Sequence, residues 1–200
     1  MLKTILRLAA VLLSLCFVGI AQAGPATELV KLKQAQLFKV VAEPKSDAQQ
    51  TKLNELFDEL IAYDQFAAHS LGEQWSERSA AEKKRFSDLL TELVRANYRK
   101  NIKKLTDFDV TYVKEGEADG GTTVTTIAKH RTKTAEPELE VEFRLETVAG
   151  KLKVVDIVTE KASMVKTFRT QFLKVLNKSG FDALTAKMQK KLDKLNKKKS

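Results

Sequence analysis

Residues 141–172 constrain the fold of this chain more than any other stretch of its sequence. The stretch predicts a strand, a tight turn at Gly150, a second strand and a helix that begins at Ser163. Apolar residues occupy alternate positions of the first strand, at Val141, Phe143 and Leu145. The helix carries one apolar stripe, formed by Met164, Val165, Phe168, Phe172 and Val175. A sheet with one apolar face and a helix with one apolar stripe pack together, either as a solid core or around an enclosed space.

The rest of the sequence predicts helices before this stretch and one helix after it. Apolar residues at three- and four-residue spacing predict helices over 28–42, 46–61, 64–71, 79–105 and 181–195. The predicted helix starts are Thr27, Ser46, Asp64 and Ser79, of which Ser46 and Ser79 belong to capping boxes. Alternation with a period of two predicts further strands over 108–112 and 122–133. The predicted fold class is therefore α+β, with a four-stranded antiparallel sheet covered by several helices.

The first 23 residues are interpreted as a secretory signal peptide. Lys3 and Arg7 precede an apolar run over 8–20, and Ala21-Gln22-Ala23 is a cleavage site of small residues. The run is shorter than the ~20 residues that a membrane-spanning anchor needs. We therefore expect cleavage after Ala23 and, in a Gram-negative bacterium, a periplasmic product.

Cysteine use limits how the mature protein is stabilised. Cys16 is the only cysteine and lies inside the predicted signal peptide, so the mature chain has no disulfide. Leu15 precedes it where a lipidation site requires a small residue. The exported chain is thus expected to depend on packing alone.

Positive charge is concentrated at the C-terminus. The chain carries a formal net charge of +9, which becomes +7 without Lys3 and Arg7, and residues 187–200 contribute +6 through seven lysines and one aspartate. The nearly neutral body argues against a nucleic-acid groove, because such a groove needs basic groups spread over one face. The lysine-rich tail over 187–200 is either a solvated helix end or a contact for anionic lipid, worth roughly 1 kcal/mol per lysine near a membrane.

Motifs for catalysis and metal binding are absent from the sequence. His69 and His130 lie in different predicted elements without a second ligand at helical spacing, and no phosphate-binding glycine loop occurs. Asp156 is a carboxylate within an apolar strand. It is either a general base in a pocket or a structural acceptor for backbone N–H groups or an arginine, for which Arg169 is the candidate.

Several short motifs together carry a family resemblance. They are Ser70-Leu71-Gly72 with Trp75, Val141 to Leu145, Gly150 to Asp156, Ser163-Met164-Val165 with Phe168-Arg169-Thr170-Gln171-Phe172, and Gly180-Phe181-Asp182-Ala183-Leu184. With these motifs the chain resembles the MlaC family over roughly residues 53–184. It departs from the usual family pattern at Ala62, Leu152, Lys161 and Thr167, where aspartate, tryptophan, glycine and asparagine are typical.

The resemblance implies a periplasmic phospholipid carrier, with phospholipid as cargo and no cofactor, metal or catalytic residue. The implied partners are an inner-membrane ABC lipid transporter complex and an outer-membrane lipoprotein complex, which together maintain outer-membrane lipid asymmetry. The implied fold is a single domain over 24–196, with a sheet region similar to nuclear-transport-factor-like folds and a deep apolar pocket for acyl chains. Because acyl chains are uniform hydrocarbon, we expect the pocket to discriminate weakly among headgroups.

The resemblance also implies that the predicted apolar faces form a lipid-binding wall. The candidates are Phe57, Leu60, Phe66, Leu71, Leu90, Leu93, Val94, Val124, Ile127, Val141, Phe143, Leu145, Val154, Val158, Met164, Val165, Phe168 and Phe172. From the residues alone, each position is explained equally well as part of a solid core. Two other functions therefore stay open: an enzyme on the same sheet with Asp156 as base, and a periplasmic binding or chaperone-like module.

Overall fold

The chain folds as a group of helices followed by an antiparallel sheet and a long final helix. The computed structural model describes residues 24–118 and 120–197. The predicted signal peptide and the last three residues of the lysine-rich tail lie outside the described residues. Within the described ranges, no helix combines the length and the apolar content that crossing a membrane requires.

The helices and strands follow one another along the chain with short connections. The elements are α1 (Pro25–Ala42), α2 (Asp47–Leu60), α3 (Tyr63–Leu71), α4 (Ala80–Leu105), β1 (Phe108–Ala118), β2 (Gly121–His130), β3 (Leu139–Val148), β4 (Lys151–Thr159), β5 (Ala162–Ser163) and α5 (Met164–Lys197). A 3-10 turn, Gly72–Trp75, joins α3 to α4. The predicted α+β class is confirmed, but the sheet has five strands and not four.

Local capping explains two of the four predicted helix starts. The capping box of α4 is complete, because Ser79 Oγ accepts a hydrogen bond from Glu82 N while Glu82 Oε2 accepts one from Ser79 N. At α2, Ser46 Oγ accepts from Gln49 N at 3.1 Å. The Gln49 side chain instead donates to the carbonyls of Val40 and Glu43, so it ties the end of α1 to the start of α2.

The other two predicted starts are wrong by one to three residues. Helix α3 begins at Tyr63, one residue before Asp64. Helix α1 begins at Pro25, and Thr27 lies in its first turn, where its backbone N and Oγ1 both donate to Glu115 of β1 at 2.7 Å. A carboxylate at a helix N-terminus satisfies free N–H groups and complements the helix dipole. Because Glu115 is 88 positions away, no local pattern could reveal this cap.

The sheet is a meander in which each strand pairs with the next in the chain. Its order is β1-β2-β3-β4-β5, and all pairs are antiparallel. The additional strand β5 has two residues and pairs Ser163 with Val158 and Ala162 with Thr159. A strand this short has no period to detect, which is why the sequence predicted only four strands.

The β4–β5 hairpin turns on two residues that glycine or asparagine would suit better. Glu160 and Lys161 have φ values of 49° and 66°, and a type I′ turn requires positive φ at both positions. Glu160→Asn with Lys161→Gly is expected to raise the free energy of unfolding by about 1 kcal/mol, because the left-handed conformation is unfavourable for other residues. The midpoint of urea unfolding measures this change.

A matched glycine substitution should act in the opposite direction. Lys166→Gly lies in the first turn of α5 and is expected to lower the unfolding free energy by up to ~1 kcal/mol. A lower urea midpoint for the hairpin variant would contradict the account of backbone strain.

Helix α5 contains the break that the sequence predicts over 177–180. Gly180 has φ 81° and ψ 176°, so the helix consists of two halves that meet at a sharp change of direction. A residue with a Cβ is disfavoured at this φ, which explains why glycine stands here.

The core consists of two apolar clusters. One joins α3, α4 and α5, and within it Leu71, Phe86 and Leu90 are fully buried. The other joins α1 and α2 to the sheet, with Val124 and Leu145 at its centre. Val94 of α4 packs against both clusters and therefore marks where they meet.

Candidate functional site

A cavity of about 790 Å³ lies between the two apolar clusters. Phe57, Ile61 and Val154 of the sheet cluster line it, together with residues of the helical cluster. The full lining is Phe57, Ile61, Phe66, Leu93, Val94, Asn97, Tyr98, Val154, Ile157, Met164, Phe168, Gln171, Phe172, Lys174, Val175, Lys178, Ser179, Ala183, Leu184, Lys187, Met188, Lys191 and Leu195. Most of this wall is aliphatic or aromatic.

The kink at Gly180 allows both halves of α5 to line the same cavity. Apolar lining residues recur at intervals of three, four or seven positions, at Met164, Phe168, Phe172 and Val175 before the kink and at Leu184, Met188 and Leu195 after it. Such spacing places each set on one helix face. A straight helix would separate the first and last of these residues by about 46 Å. The change of direction at Gly180 is therefore what brings the C-terminal stripe to the cavity.

Eight of the eighteen predicted wall residues line the cavity. They are Phe57, Phe66, Leu93, Val94, Val154, Met164, Phe168 and Phe172. The remaining ten, Leu60, Leu71, Leu90, Val124, Ile127, Val141, Phe143, Leu145, Val158 and Val165, do not belong to the lining. Whether any of the eighteen contacts lipid stays a prediction.

Seven of the ten residues outside the lining belong to the two apolar clusters or pack against them, namely Leu60, Leu71, Leu90, Val124, Phe143, Leu145 and Val165. Leu71 and Leu90 are fully buried among α3, α4 and α5. Val124 and Leu145 pack in the cluster that contains Ala26 and Val30 of α1, so the N-terminal helix covers this part of the sheet. The sequence shows which face of a strand is apolar but not which helix covers it.

Sequence reasoning did not select the lining residues of the second half of α5. Leu184, Met188 and Leu195 lie in the predicted helix over 181–195, but they are not among the candidate wall residues. The available signal was Gly180, because a glycine break between two amphipathic segments predicts that both faces can turn towards one space.

Asp156 has a structural role at the start of α5. It is 6% exposed and accepts hydrogen bonds from Ser163 Oγ at 2.6 Å and from Val165 N at 3.0 Å. The predicted pairing with Arg169 is wrong, because Arg169 Nε donates to the His69 carbonyl at 2.8 Å. The nearest guanidinium is that of Arg144, with its Nη1 3.9 Å from Asp156 Oδ2. Asp156 does not line the cavity, and both of its oxygens are engaged by donors.

Each of the two histidines has a hydrogen-bond partner. His69 Nε2 lies 3.0 Å from Glu146 Oε1, and His130 Nδ1 accepts from the backbone N atoms of Thr132 and Lys133. Across residues 24–118 and 120–197, no three His, Cys, Asp or Glu side chains are grouped to hold a metal ion.

An aromatic pair forms one side of the cavity. The rings of Phe57 and Tyr98 stack with centroids 3.5 Å apart and an interplanar angle of 17°. Arg95, three residues before Tyr98, pairs with Asp58, and this hydrogen bond raises the pKa of the guanidinium. Burial raises the pKa of Tyr98 above the usual value of about 10, so its hydroxyl group keeps its proton well into the alkaline range.

All three tyrosines of the chain are expected to ionise above the usual pKa of about 10. Burial raises the pKa of Tyr63 and of Tyr112 to about 12, and it raises the pKa of Tyr98 as well. The folded protein thus holds these protons more tightly than the unfolded chain, so stability is complete below pH ~10 and falls as the pH rises towards 12. The near-ultraviolet absorbance of tyrosinate measures the titration.

The urea-unfolded chain provides the control for this titration and should ionise near pH 10. A tyrosine that ionises at that same pH in the folded protein would contradict the burial of its hydroxyl group.

Comparisons with known proteins identify relatives of this sequence and fold. Residues 32–190 match the family described as MlaC protein. Seven chains of solved structures match, including the phospholipid-binding protein from Ralstonia solanacearum, solved in complex with a phospholipid. That structure superposes with a TM-score of 0.70 at 18% identity, over 84% of this chain and 97% of the other, which establishes a shared fold. No protein of curated function matches the sequence.

Proposed function

The chain belongs to the MlaC family, and from this we propose that it is a soluble periplasmic carrier of phospholipid. The carrier holds the acyl chains in the cavity between the two apolar clusters. It passes lipid between an outer-membrane lipoprotein complex and an inner-membrane ABC transporter complex. The observation that carries the proposal is the apolar cavity of about 790 Å³.

The size of the cavity supports hydrocarbon cargo. A methylene group takes up about the volume of a water molecule in the liquid, roughly 30 Å³. The cavity of about 790 Å³ therefore offers room for on the order of 25 methylenes, close to the content of two acyl chains. Ordinary small-molecule sites of similar volume place several convergent polar groups around the ligand. Here the deep wall is apolar, and the lysines that line the cavity are exposed.

The energetics explain why lipid crossing an aqueous space needs such a cavity. Exposing about 30 methylenes to water costs on the order of 20–25 kcal/mol at ~0.8 kcal/mol each. Moving the same chains from a bilayer into an apolar cavity costs far less, because both environments are dry. A carrier of this kind lowers the barrier without setting the direction of transport, which its partners at the two membranes determine.

Binding explains the site better than catalysis. Asp156, the candidate general base, accepts hydrogen bonds from Ser163 and Val165 and does not line the cavity. The family assignment and the fold shared with a phospholipid-binding protein favour the same conclusion. We propose no catalytic residue, cofactor or metal.

Lipid extraction from the purified protein tests the proposal directly. The full-length gene is expressed with export to the periplasm, and the purified product is studied by native mass spectrometry. We expect a cleaved chain that begins at Gly24 and carries bound phospholipid. After delipidation, it should take up phospholipid from liposomes and pass it to acceptor liposomes.

The absence of bound phospholipid, together with no uptake from liposomes, would contradict the carrier function. That result would favour a binding or chaperone-like module that acts through its surface. Asp156→Asn serves as the control for the enzyme alternative, because asparagine can still accept from Val165 N and lipid loading should survive.

A further inference from the structure

Four lysines surround the entrance of the cavity. Lys174 and Lys178 precede the kink of α5, and Lys187 and Lys191 follow it. All four line the cavity and all four are exposed, so their ammonium groups reach solvent beside the apolar interior. Lys191 Nζ lies 6.0 Å from the ring centroid of Phe168 in the opposite half of α5, close to the hydrocarbon wall. We call these four residues the lysine rim.

The lysine rim is not neutralised by the protein. Among residues 24–118 and 120–197, no aspartate or glutamate lines the cavity. None of the four lysines forms an ion pair with a carboxylate of the described residues. The nearby aspartates bind elsewhere: Asp182 pairs with Arg85 at 3.0 Å, and Asp193 accepts from Gln189 at 2.9 Å.

The spacing of the four rim lysines destabilises helix α5. Lys174 and Lys178 are four residues apart, as are Lys187 and Lys191, and like charges at this spacing destabilise a helix. Helix stability therefore does not explain the arrangement. An anion at the entrance would relieve the repulsion within both pairs at once.

We infer that the lysine rim selects phospholipids whose headgroup carries a net negative charge, such as phosphatidylglycerol, over zwitterionic ones. This inference rests on the proposed function, since acyl chains in the cavity place the phosphate at its entrance. The ammonium group of a zwitterionic headgroup, as in phosphatidylethanolamine, meets the four ammonium groups of the rim and is repelled. Uniform hydrocarbon chains alone would give only weak discrimination among headgroups, and the lysine rim makes this discrimination stronger.

Competitive loading measures this selectivity. Delipidated protein is incubated with liposomes that contain equal amounts of phosphatidylglycerol and phosphatidylethanolamine with identical acyl chains, and the bound lipids are quantified by mass spectrometry. We expect enrichment of phosphatidylglycerol by about five- to tenfold, as four exposed charges of modest individual effect would give. The enrichment should shrink at about 1 M salt, where the Debye length is ~3 Å.

A quadruple variant assigns the effect to the rim. Replacing Lys174, Lys178, Lys187 and Lys191 by glutamine should remove the enrichment, so that the bound lipids take the proportions of the liposome mixture. The matched control replaces Lys166, Lys190, Lys194 and Lys197, which are exposed on the same helix and do not line the cavity. This control changes the net charge equally and should keep the enrichment.

Short-chain lipids below their micelle concentration separate headgroup recognition from attraction to a charged liposome surface. Dihexanoyl phosphatidylglycerol should bind about fivefold tighter than dihexanoyl phosphatidylcholine, and inorganic phosphate alone should not displace it. Equal affinities, displacement by phosphate, or equal loss of enrichment in both quadruple variants would overturn the inference. Bound lipid in the proportions of the mixture would overturn it and leave the carrier function intact, whereas no bound lipid would overturn both.

Discussion

Ala183→Trp is expected to reduce phospholipid binding by a factor of about thirty while the protein remains folded. Ala183 is half-buried and lines the cavity on the second half of α5. The indole ring would occupy space that acyl chains need. Excluding two or three methylenes at ~0.8 kcal/mol each costs about 2 kcal/mol, which corresponds to this factor in the dissociation constant. Titration with short-chain phospholipid measures the affinity.

Ala186→Trp is the matched control for this experiment. Ala186 lies three residues further along the same helix, is exposed and faces a groove on the outside of α4 and α5. Its tryptophan should leave lipid affinity unchanged. Equal affinities of the Ala183→Trp variant and the unmodified protein would show that lipid does not enter the cavity.

Phe86→Ala is expected to lower the free energy of unfolding by about 3–5 kcal/mol, the range for a buried phenylalanine. Phe86 has no exposed surface, and its ring contacts those of Trp75, Phe172 and Phe181 at centroid distances of 5.3–6.5 Å. Phe172 and Phe181 belong to the two halves of α5, so this one ring holds α4 against both sides of the kink. Urea unfolding followed by far-ultraviolet circular dichroism measures the loss.

Phe86→Leu provides the graded comparison, because leucine keeps most of the apolar volume and should cost less than the alanine variant. The alanine variant should also bind lipid more weakly, since Phe172 lines the cavity and loses its support. A loss below about 1 kcal/mol for Phe86→Ala would contradict the tight packing of this cluster.

Most interactions between residues close in the sequence were predicted correctly, whereas contacts between distant residues were not. The capping box at Ser79, the break before Phe181 and the four long strands follow from residues within a few positions of each other, and the structure contains them all. The cap of α1 comes from Glu115, and the predicted partner of Asp156 is replaced by Ser163 and Val165. Patterns of hydrophobicity do not show which of several polar groups reaches a given donor.

The sequence alone determined the fold class, the order of elements and the apolar face of each element. These follow from backbone geometry, because a period of two or of 3.6 residues places side chains on one side of a strand or helix. Only the tertiary structure decided which apolar faces fill the core and which line the cavity. Helix α1 covers Val124 and Leu145, while Gly180 turns Leu184 and Met188 towards Phe57 and Val154 around a shared space. Burial favours contact with any apolar surface, so only the paths of distant segments determine where side chains meet and where a space remains.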